Sequence, residues 1–166
     1  MILTLFLVGD SLSAHESWKT NPEDRLNTLS KKLLSESNEI YHVDFQPHSE
    51  FIAALQAPST EFARFFFAGE PPSDYMSIYL KEIGPKQKAK SPGLLSIAAG
   101  ITHEEVEYKG VKGKAAVLVL GWESLEAHTV DFVGSEVYKE TIPTVKSTSK
   151  ANEIHHVTFT KKGGDV

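Results

Sequence analysis

The sequence predicts an α+β fold in which the order β-α-β-β-α-β runs from residue 63 to residue 161, after a partial copy of the same unit. Short apolar runs alternate with segments whose apolar residues recur every three or four positions. Glycine and proline residues separate these segments. The string NEIYHVDF near the amino terminus returns near the carboxyl terminus as NEIHHVTF, with six of eight positions identical. The element order is that of the ferredoxin-like fold.

The first half of this module is predicted to be a strand, a helix and a second, long strand. The run ARFFFAG, Ala63–Gly69, is rich in strand-forming aromatic residues. The prolines that follow end it, and a helix is predicted over Ser73–Ile83. We expect Gly84–Lys90 to form an exposed loop and Leu94–Tyr108 to form a strand that bends at Gly100. The predicted inward residues of the helix are Tyr75, Ile78, Tyr79 and Ile83.

The second half begins with a hairpin turn over Lys109–Lys114, which contains two glycines, and a buried strand over Lys114–Leu120. Ser124 is a predicted N-cap for the next helix, and Pro143 ends or kinks that helix. A strand over Glu153–Thr160 closes the module. Its sheet should have strand order 4-1-3-2 with both helices on one face. The predicted apolar stripe of the second helix is Leu125, His128, Phe132, Val133, Val137 and Tyr138.

Part of this module is duplicated at the amino terminus, about 113 residues earlier. The segment Leu3–Trp18 resembles Ala116–Phe132, and both contain the pattern L-x-A-H. The first copy therefore predicts strands at Leu3–Val8 and Glu39–Phe45, with a helix between them that begins near Pro22. The predicted domains are a partial repeat (1–47), a linker (48–62), the complete module (63–161) and a disordered tail (162–166).

Composition excludes several classes of function. The chain of 166 residues has no cysteine, which excludes disulfide scaffolds, thiolate metal sites and a cysteine nucleophile. Its net charge of -5 and its few arginines argue against a nucleic-acid or anionic-membrane surface. The apolar start lacks the features of a signal peptide, and no apolar run is long enough to span a membrane. We expect a cytoplasmic protein.

The stretch GWESLEAHTVDFVGSEVYKETIP, followed by EIHHVTF, resembles the dimeric α+β barrel superfamily, particularly antibiotic biosynthesis monooxygenase (ABM)-like domains of the fungal two-repeat type. The resemblance implies a homodimer without a cofactor that acts on an apolar aromatic or polyketide-like molecule. The implied reactions are oxygenation, cyclisation, rearrangement and decarboxylation. A non-catalytic ligand-binding or stress-related barrel is the alternative, because one fold hosts many functions.

Histidines supply the candidate chemistry. His128 and His156 are predicted acid/base groups, because histidine titrates near neutral pH. The other reading is that they are hydrogen-bonded structural residues inherited through duplication. Trp122 would be a wall or stacking group. Further predicted substrate-binding residues are Phe66, His42 and His103. No metal site is predicted, because neighbouring histidines on a strand point to opposite faces and no known ligand spacing occurs.

Overall fold

A four-stranded antiparallel sheet is the centre of the second of two compact units, Met1–His42 and Val43–Val166. The computed structural model describes residues 41–160 together with Ser13 and Ser17. The predicted strand Leu3–Val8, the predicted helix near Pro22 and the tail 162–166 lie outside these residues. The strands are β1 (Ser59–Phe66), β2 (Leu94–Ile101), β3 (Val106–Tyr108), β4 (Val111–Gly113), β5 (Ala115–Trp122) and β6 (Ala151–Val157).

Six helical segments accompany the strands, numbered here within the described residues. The α-helices are α1 (His48–Leu55), α2 (Tyr75–Ile78), α3 (Gly84–Lys90) and α4 (Glu136–Lys146). Two π-helical segments, Tyr79–Ile83 and Ala127–Phe132, complete the set. None of the helices in residues 41–160 has the length and apolar character needed to cross a bilayer.

The predicted strand order is confirmed. The sheet has the order β2-β5-β1-β6, and every neighbouring pair is antiparallel. Strand β1 is central, paired along its length with β5 on one side and β6 on the other. Counting the four long strands of the module in chain order, this is the order 4-1-3-2 of the ferredoxin-like fold.

The two faces of the sheet are covered by different elements. Because side chains alternate along a strand, Ala63 and Phe65 of β1 point to one face and Thr60, Phe62 and Phe66 to the other. The first face packs against both long helical runs and forms the main core. The second face receives α1, where the Thr60 hydroxyl donates a hydrogen bond of 2.7 Å to the Ala54 carbonyl.

Two parts of the predicted module differ in the structure. Gly84–Lys90, expected as a loop, is helix α3, because Pro85 lies in its first turn, where a missing N–H costs nothing. The predicted strand Leu94–Tyr108 is two strands. Thr102 ends the first of them, since its N–H donates to the Ala115 carbonyl and its hydroxyl accepts from the Ala115 N–H.

The helix after β5 also differs from the expected continuous stripe. It is divided into the π-helical segment Ala127–Phe132 and helix α4, whose first turn is capped by the Ser135 hydroxyl. Two residues of the predicted stripe, Leu125 and Val133, are exposed. Pro143 does not end the helix, because it lies on the exposed side, where water satisfies the carbonyl that its absent N–H leaves unpaired.

The region between the predicted repeats contains ordered elements. Helix α1 lies inside the segment predicted as a linker, and β1 begins at Ser59, before its predicted start. The described part of the predicted strand Glu39–Phe45 makes one isolated bridge, from Val43 to Thr102. The division of the chain into a partial and a complete repeat stays a prediction.

Candidate functional site

Three ionisable side chains from three separate elements meet on the face of the sheet that forms the main core. They are Glu61 of β1, His128 of the second π-helical segment and His156 of β6. His128 Nδ1 lies 2.6 Å from His156 Nε2, which is a short hydrogen bond. His128 Nε2 lies 3.4 Å from Glu61 Oε2. His128 therefore joins a carboxyl group on one side to a second imidazole on the other.

Sheet register and a helix cap bring these groups together. Glu61 and His156 are directly opposite in the β1–β6 ladder, so their side chains leave the same face of the sheet. The Ala127 N–H donates to the Ser124 hydroxyl, as predicted, and this cap begins the turn that carries His128. The wider π-helical turn directs His128 and Phe132 toward the sheet, where both are buried.

Trp122 holds the carboxyl group in place. Its indole Nε1–H donates a hydrogen bond of 2.8 Å to Glu61 Oε2. Its ring lies against the rings of His128 and Phe132, with centroid distances of 4.9 Å and 5.3 Å. Trp122 is fully buried, so the predicted wall residue lies beneath the cluster rather than on an open surface.

Burial changes the protonation of the cluster. It raises the pKa of Glu61 to about 7, although the hydrogen bond from Trp122 partly opposes this shift. Burial, and after it the neighbouring His156, lower the pKa of His128 to about 4. The pKa of His156 is also lowered, by burial and then by His155. Near neutral pH both imidazoles are therefore neutral, and Glu61 divides between its acid and its carboxylate.

A cavity of about 40 Å³ adjoins Glu61 and His128. This volume holds about three water molecules, so a whole aromatic ring does not fit within it. The inner end is polar and the walls are mainly apolar. Partly or largely exposed side chains between α4 and β6 form the mouth, and they are Tyr138, Ile142, Lys146 and Ile154.

The structure brings together three of the six residues predicted from the sequence: His128, His156 and Trp122. Phe66 leaves the opposite face of the sheet and stacks on Tyr108, with centroids 4.5 Å apart. His103 is exposed and pairs with Asp44 at 2.9 Å. His42 belongs to the other compact unit. The catalytic and substrate-binding roles of all six residues stay predictions.

Glu61 is the member of the cluster that sequence reasoning missed. It lies in the segment predicted as a linker, four positions before the first phenylalanine of ARFFFAG. A signal was present, because Glu61 continues the alternation of Ala63 and Phe65 on the buried face. An acidic residue in phase with a buried stripe is either paired or functional.

The same three residues could also hold a metal ion, since their nitrogen and oxygen atoms lie within 4.8 Å of one another. Two histidines and a carboxylate are the ligand set of several transition-metal sites. Metal–nitrogen bonds of about 2.1 Å place ligand atoms roughly 3 Å or more apart. The 2.6 Å separation of the two histidine nitrogens is instead that of a hydrogen-bonded pair.

No family model and no curated protein matches this chain. Solved structures do resemble it, among them two proposed monooxygenases. One is a proposed antibiotic biosynthesis monooxygenase from Bordetella bronchiseptica, with 18% identity over 62% of this chain and 97% of its own, at a TM-score of 0.46. The other is a proposed monooxygenase from Lactobacillus acidophilus, with 11% identity over 88% and 64% of the two chains, at a TM-score of 0.47. Likeness at this level assigns no activity to the chain.

Proposed function

We propose that this chain is a small-molecule enzyme that works by proton transfer, with Glu61, His128 and His156 as the groups that carry the proton. One observation supports the proposal above others: three ionisable side chains form a row of close polar contacts, one of them a short hydrogen bond, at the buried end of an otherwise apolar cavity. Converging polar groups in such a place are typical of catalytic sites. A filled apolar interior would have favoured a structural role.

The row provides a path for one proton from the cavity to the surface. Glu61, as a carboxylate, takes a proton from an acidic C–H or O–H of the substrate. The acid then gives its proton to His128 Nε2, while the proton on His128 Nδ1 passes to His156 Nε2. His156, half-buried on the edge strand β6, then releases a proton to solvent from Nδ1. Each imidazole gains a proton at one nitrogen as it loses a proton from the other, and the product is a substrate enolate or phenolate.

Burial makes this path effective. A carboxyl group with a pKa near 7 is a base matched to neutral pH, and it is far stronger than an exposed glutamate. His128 stays neutral, so it can accept at one nitrogen while it donates from the other. The substrate we propose is an apolar aromatic or polyketide-like molecule whose acidic group enters the polar end. Its body would rest against the mouth residues Tyr138, Ile142 and Ile154.

A second candidate is a non-catalytic ligand-binding barrel in the same superfamily. The small cavity favours it, because about 40 Å³ admits only a functional group or a few waters. In that case the histidine pair would be a satisfied structural element, as buried polar groups usually are. The two candidates differ in what happens when the proton path is cut while the cavity is left intact.

Replacing His156 by alanine interrupts the proposed proton path and leaves the cavity lining intact. We expect His156→Ala to reduce product formation from hydroxylated polycyclic aromatics at least about a hundredfold, the low end of what a general acid or base contributes. Binding of the same compounds, followed by Trp122 fluorescence, should change little, because His156 is not among the residues that line the cavity. Turnover is measured by mass spectrometry as exchange of an acidic substrate C–H for deuterium in heavy water.

His155→Ala is the matched control. His155 is the neighbour of His156 on β6, but it leaves the opposite face and pairs there with Glu153 at 2.8 Å. Because His155 contributes only the smaller part of the lowered pKa of His156, its loss should change turnover far less than the loss of His156 does. Equal rates for the two variants, or no product from any of these compounds with the unsubstituted protein, would favour the binding role and reject the proton path.

A further inference from the structure

Both π-helical segments in the described residues supply side chains to the same small cavity. The segment Tyr79–Ile83 contributes Tyr79, and the segment Ala127–Phe132 contributes His128 and Phe132. Such turns are rare and energetically poor, and they occur often at functional sites, where one extra residue redirects a side chain. That two of them meet at one cavity indicates that Tyr79 is as much part of the site as His128.

Tyr79 and Gln87 also line this cavity, and the Tyr79 hydroxyl and Gln87 Oε1 make only a long, weak hydrogen bond with each other. Each is only 2% exposed. The Tyr79 hydroxyl lies 3.5 Å from Gln87 Oε1, about 0.7 Å longer than a normal O–H···O hydrogen bond. Gln87 itself is held in place, because its Nε2 donates to the Thr141 hydroxyl at 3.0 Å and that hydroxyl donates to the Val137 carbonyl.

We infer that Tyr79 and Gln87 bind a hydroxyl group of the substrate, and that the substrate is therefore a hydroxylated aromatic. The Tyr79 hydroxyl would donate to the ligand oxygen, and Gln87 Oε1 would accept the ligand O–H. Both buried groups would then have a good partner. The ring would lie at the apolar mouth. The inference deepens the proposed function and rests on it for the reaction of the bound molecule, but binding can be tested without turnover.

The arrangement fits a proton-transfer site. Tyr79 is close enough to Glu61 that the carboxylate charge adds to the effect of burial, and both raise the pKa of the tyrosine well above its usual value. Tyr79 thus stays a neutral donor at any physiological pH. A neutral donor at a substrate oxygen, with a base in the same cavity, stabilises negative charge that develops on the substrate when the base removes a proton elsewhere on the molecule.

The test compares phenol with toluene, which has the same ring and a methyl group in place of the hydroxyl. Binding to the full chain is followed by the NMR resonance of the Trp122 indole N–H, which donates to Glu61. We expect saturable binding of phenol that is tighter than that of toluene. Tyr79→Phe should weaken phenol binding about three- to tenfold, the value of one or two neutral hydrogen bonds, and leave toluene unchanged. Gln87→Met should act in the same direction.

Tyr75→Phe is the matched control. Tyr75 is a buried tyrosine one turn earlier, but its hydroxyl already donates to the Val145 carbonyl at 2.8 Å and it does not line this cavity. This variant should lose stability and keep its affinity for phenol. The inference is overturned if phenol does not saturate, if toluene binds equally well, or if Tyr79→Phe and Gln87→Met keep phenol affinity within twofold. Loss of turnover in His156→Ala bears on the proposed function alone.

Discussion

Glu61 and His128 are both charged in the unfolded chain at mildly acidic pH, and folding favours the neutral form of each. In the unfolded chain near pH 5.5, a glutamate is ionised and a histidine is protonated. In the folded site, burial favours the acid form of Glu61 and the neutral form of His128. The pair therefore carries one proton in both states, and only its position differs. This follows from desolvation, which disfavours either charge in the core.

The raised pKa of Glu61 and the lowered pKa of His128 predict opposite dependences of stability on pH. Because the pKa of Glu61 is higher in the folded state, its protonation stabilises the fold fully below about pH 4.5. This stabilisation is lost as the pH rises to about 7. Because the pKa of His128 is lower in the folded state, its neutral form stabilises the fold fully above about pH 6.5. This stabilisation is lost as the pH falls to about 4. The two trends oppose each other between about pH 4.5 and 6.5, so we expect little net change from the pair there.

Glu61→Gln removes the titrating carboxyl group and leaves the pH dependence that His128 contributes. The free energy of unfolding of the unsubstituted chain minus that of the variant should fall by about 3 kcal/mol from pH 4.5 to pH 7. Urea denaturation of both proteins across this range measures the difference. The exposed carboxylate of Glu136, which pairs with Lys139 at the surface, offers the control Glu136→Gln. A difference that stays constant with pH in Glu61→Gln would contradict the raised pKa.

At the scale of elements, helix α1 lies against the sheet at an unusually close distance. A Cβ atom on Gly121 of β5 would clash with the Ser96 hydroxyl and lie 2.9 Å from Ala57 Cβ and 3.0 Å from Ala54 Cα. Glycine is required here for close approach and not for its backbone angles. Ser96 is buried, and its hydroxyl has no hydrogen-bond partner within residues 41–160. Small side chains thus allow a helix to cover this face of the sheet.

We expect Gly121→Ala to destabilise the protein by about 1–3 kcal/mol, the usual cost of excess volume in a packed core. In a Ser96→Ala background the penalty should be smaller by at least about 0.5 kcal/mol, because one clashing atom is gone. Ser96→Ala alone should be close to neutral, since its hydroxyl has no partner to lose. Denaturant unfolding of the four proteins measures the coupling, and strictly additive effects would show that the Ser96 hydroxyl does not lie against Gly121 as described.

At the scale of the whole molecule, strand β6 has a partner on only one side within the described sheet. Large apolar residues near it are exposed: Ile154 by 40%, Val157 by 40% and Phe159 by 42%. An edge strand with exposed apolar side chains is a site for pairing with another chain. This agrees with the homodimer that the sequence resemblance implies.

We therefore predict a homodimer, with a mass in solution of about twice the chain mass of 18.3 kDa. Val157→Glu should shift the equilibrium toward the monomer, because it places a charge where apolar contact is expected. Leu125→Glu, at an exposed leucine before the second π-helical segment, is the control and should leave the mass unchanged. Light scattering at several concentrations distinguishes the results, and a monomer of unsubstituted protein at all of them would contradict this prediction.

Periodicity alone determined the order of elements in this protein. The apolar run of β5 and the alternation of Ala63, Phe65 and Phe67 are local signals that predicted strands, and the ferredoxin-like element order then predicted the strand order of the sheet. The predicted turn Lys109–Lys114 instead contains β4, which pairs with β3 in a separate two-stranded sheet. Duplication of the NEI-x-HV-x-F string marked His156 as a candidate. Where local signals compete, the sequence was misleading, as at Pro85, which opens a helix rather than preceding a loop.

Only the tertiary structure decided the site. The three ionisable residues of the site, Glu61, His128 and His156, are far apart in sequence. They come together through the sheet register and a π-helical turn, and the spacing of residues in the sequence does not predict that turn. Removing a residue from that turn would rotate His128 away from Glu61, although composition and periodicity would hardly change. The pKa of each group likewise depends on burial by residues from other elements. Local pattern specifies elements, whereas chemistry at this site arises from contacts between elements, which a single sequence does not reveal.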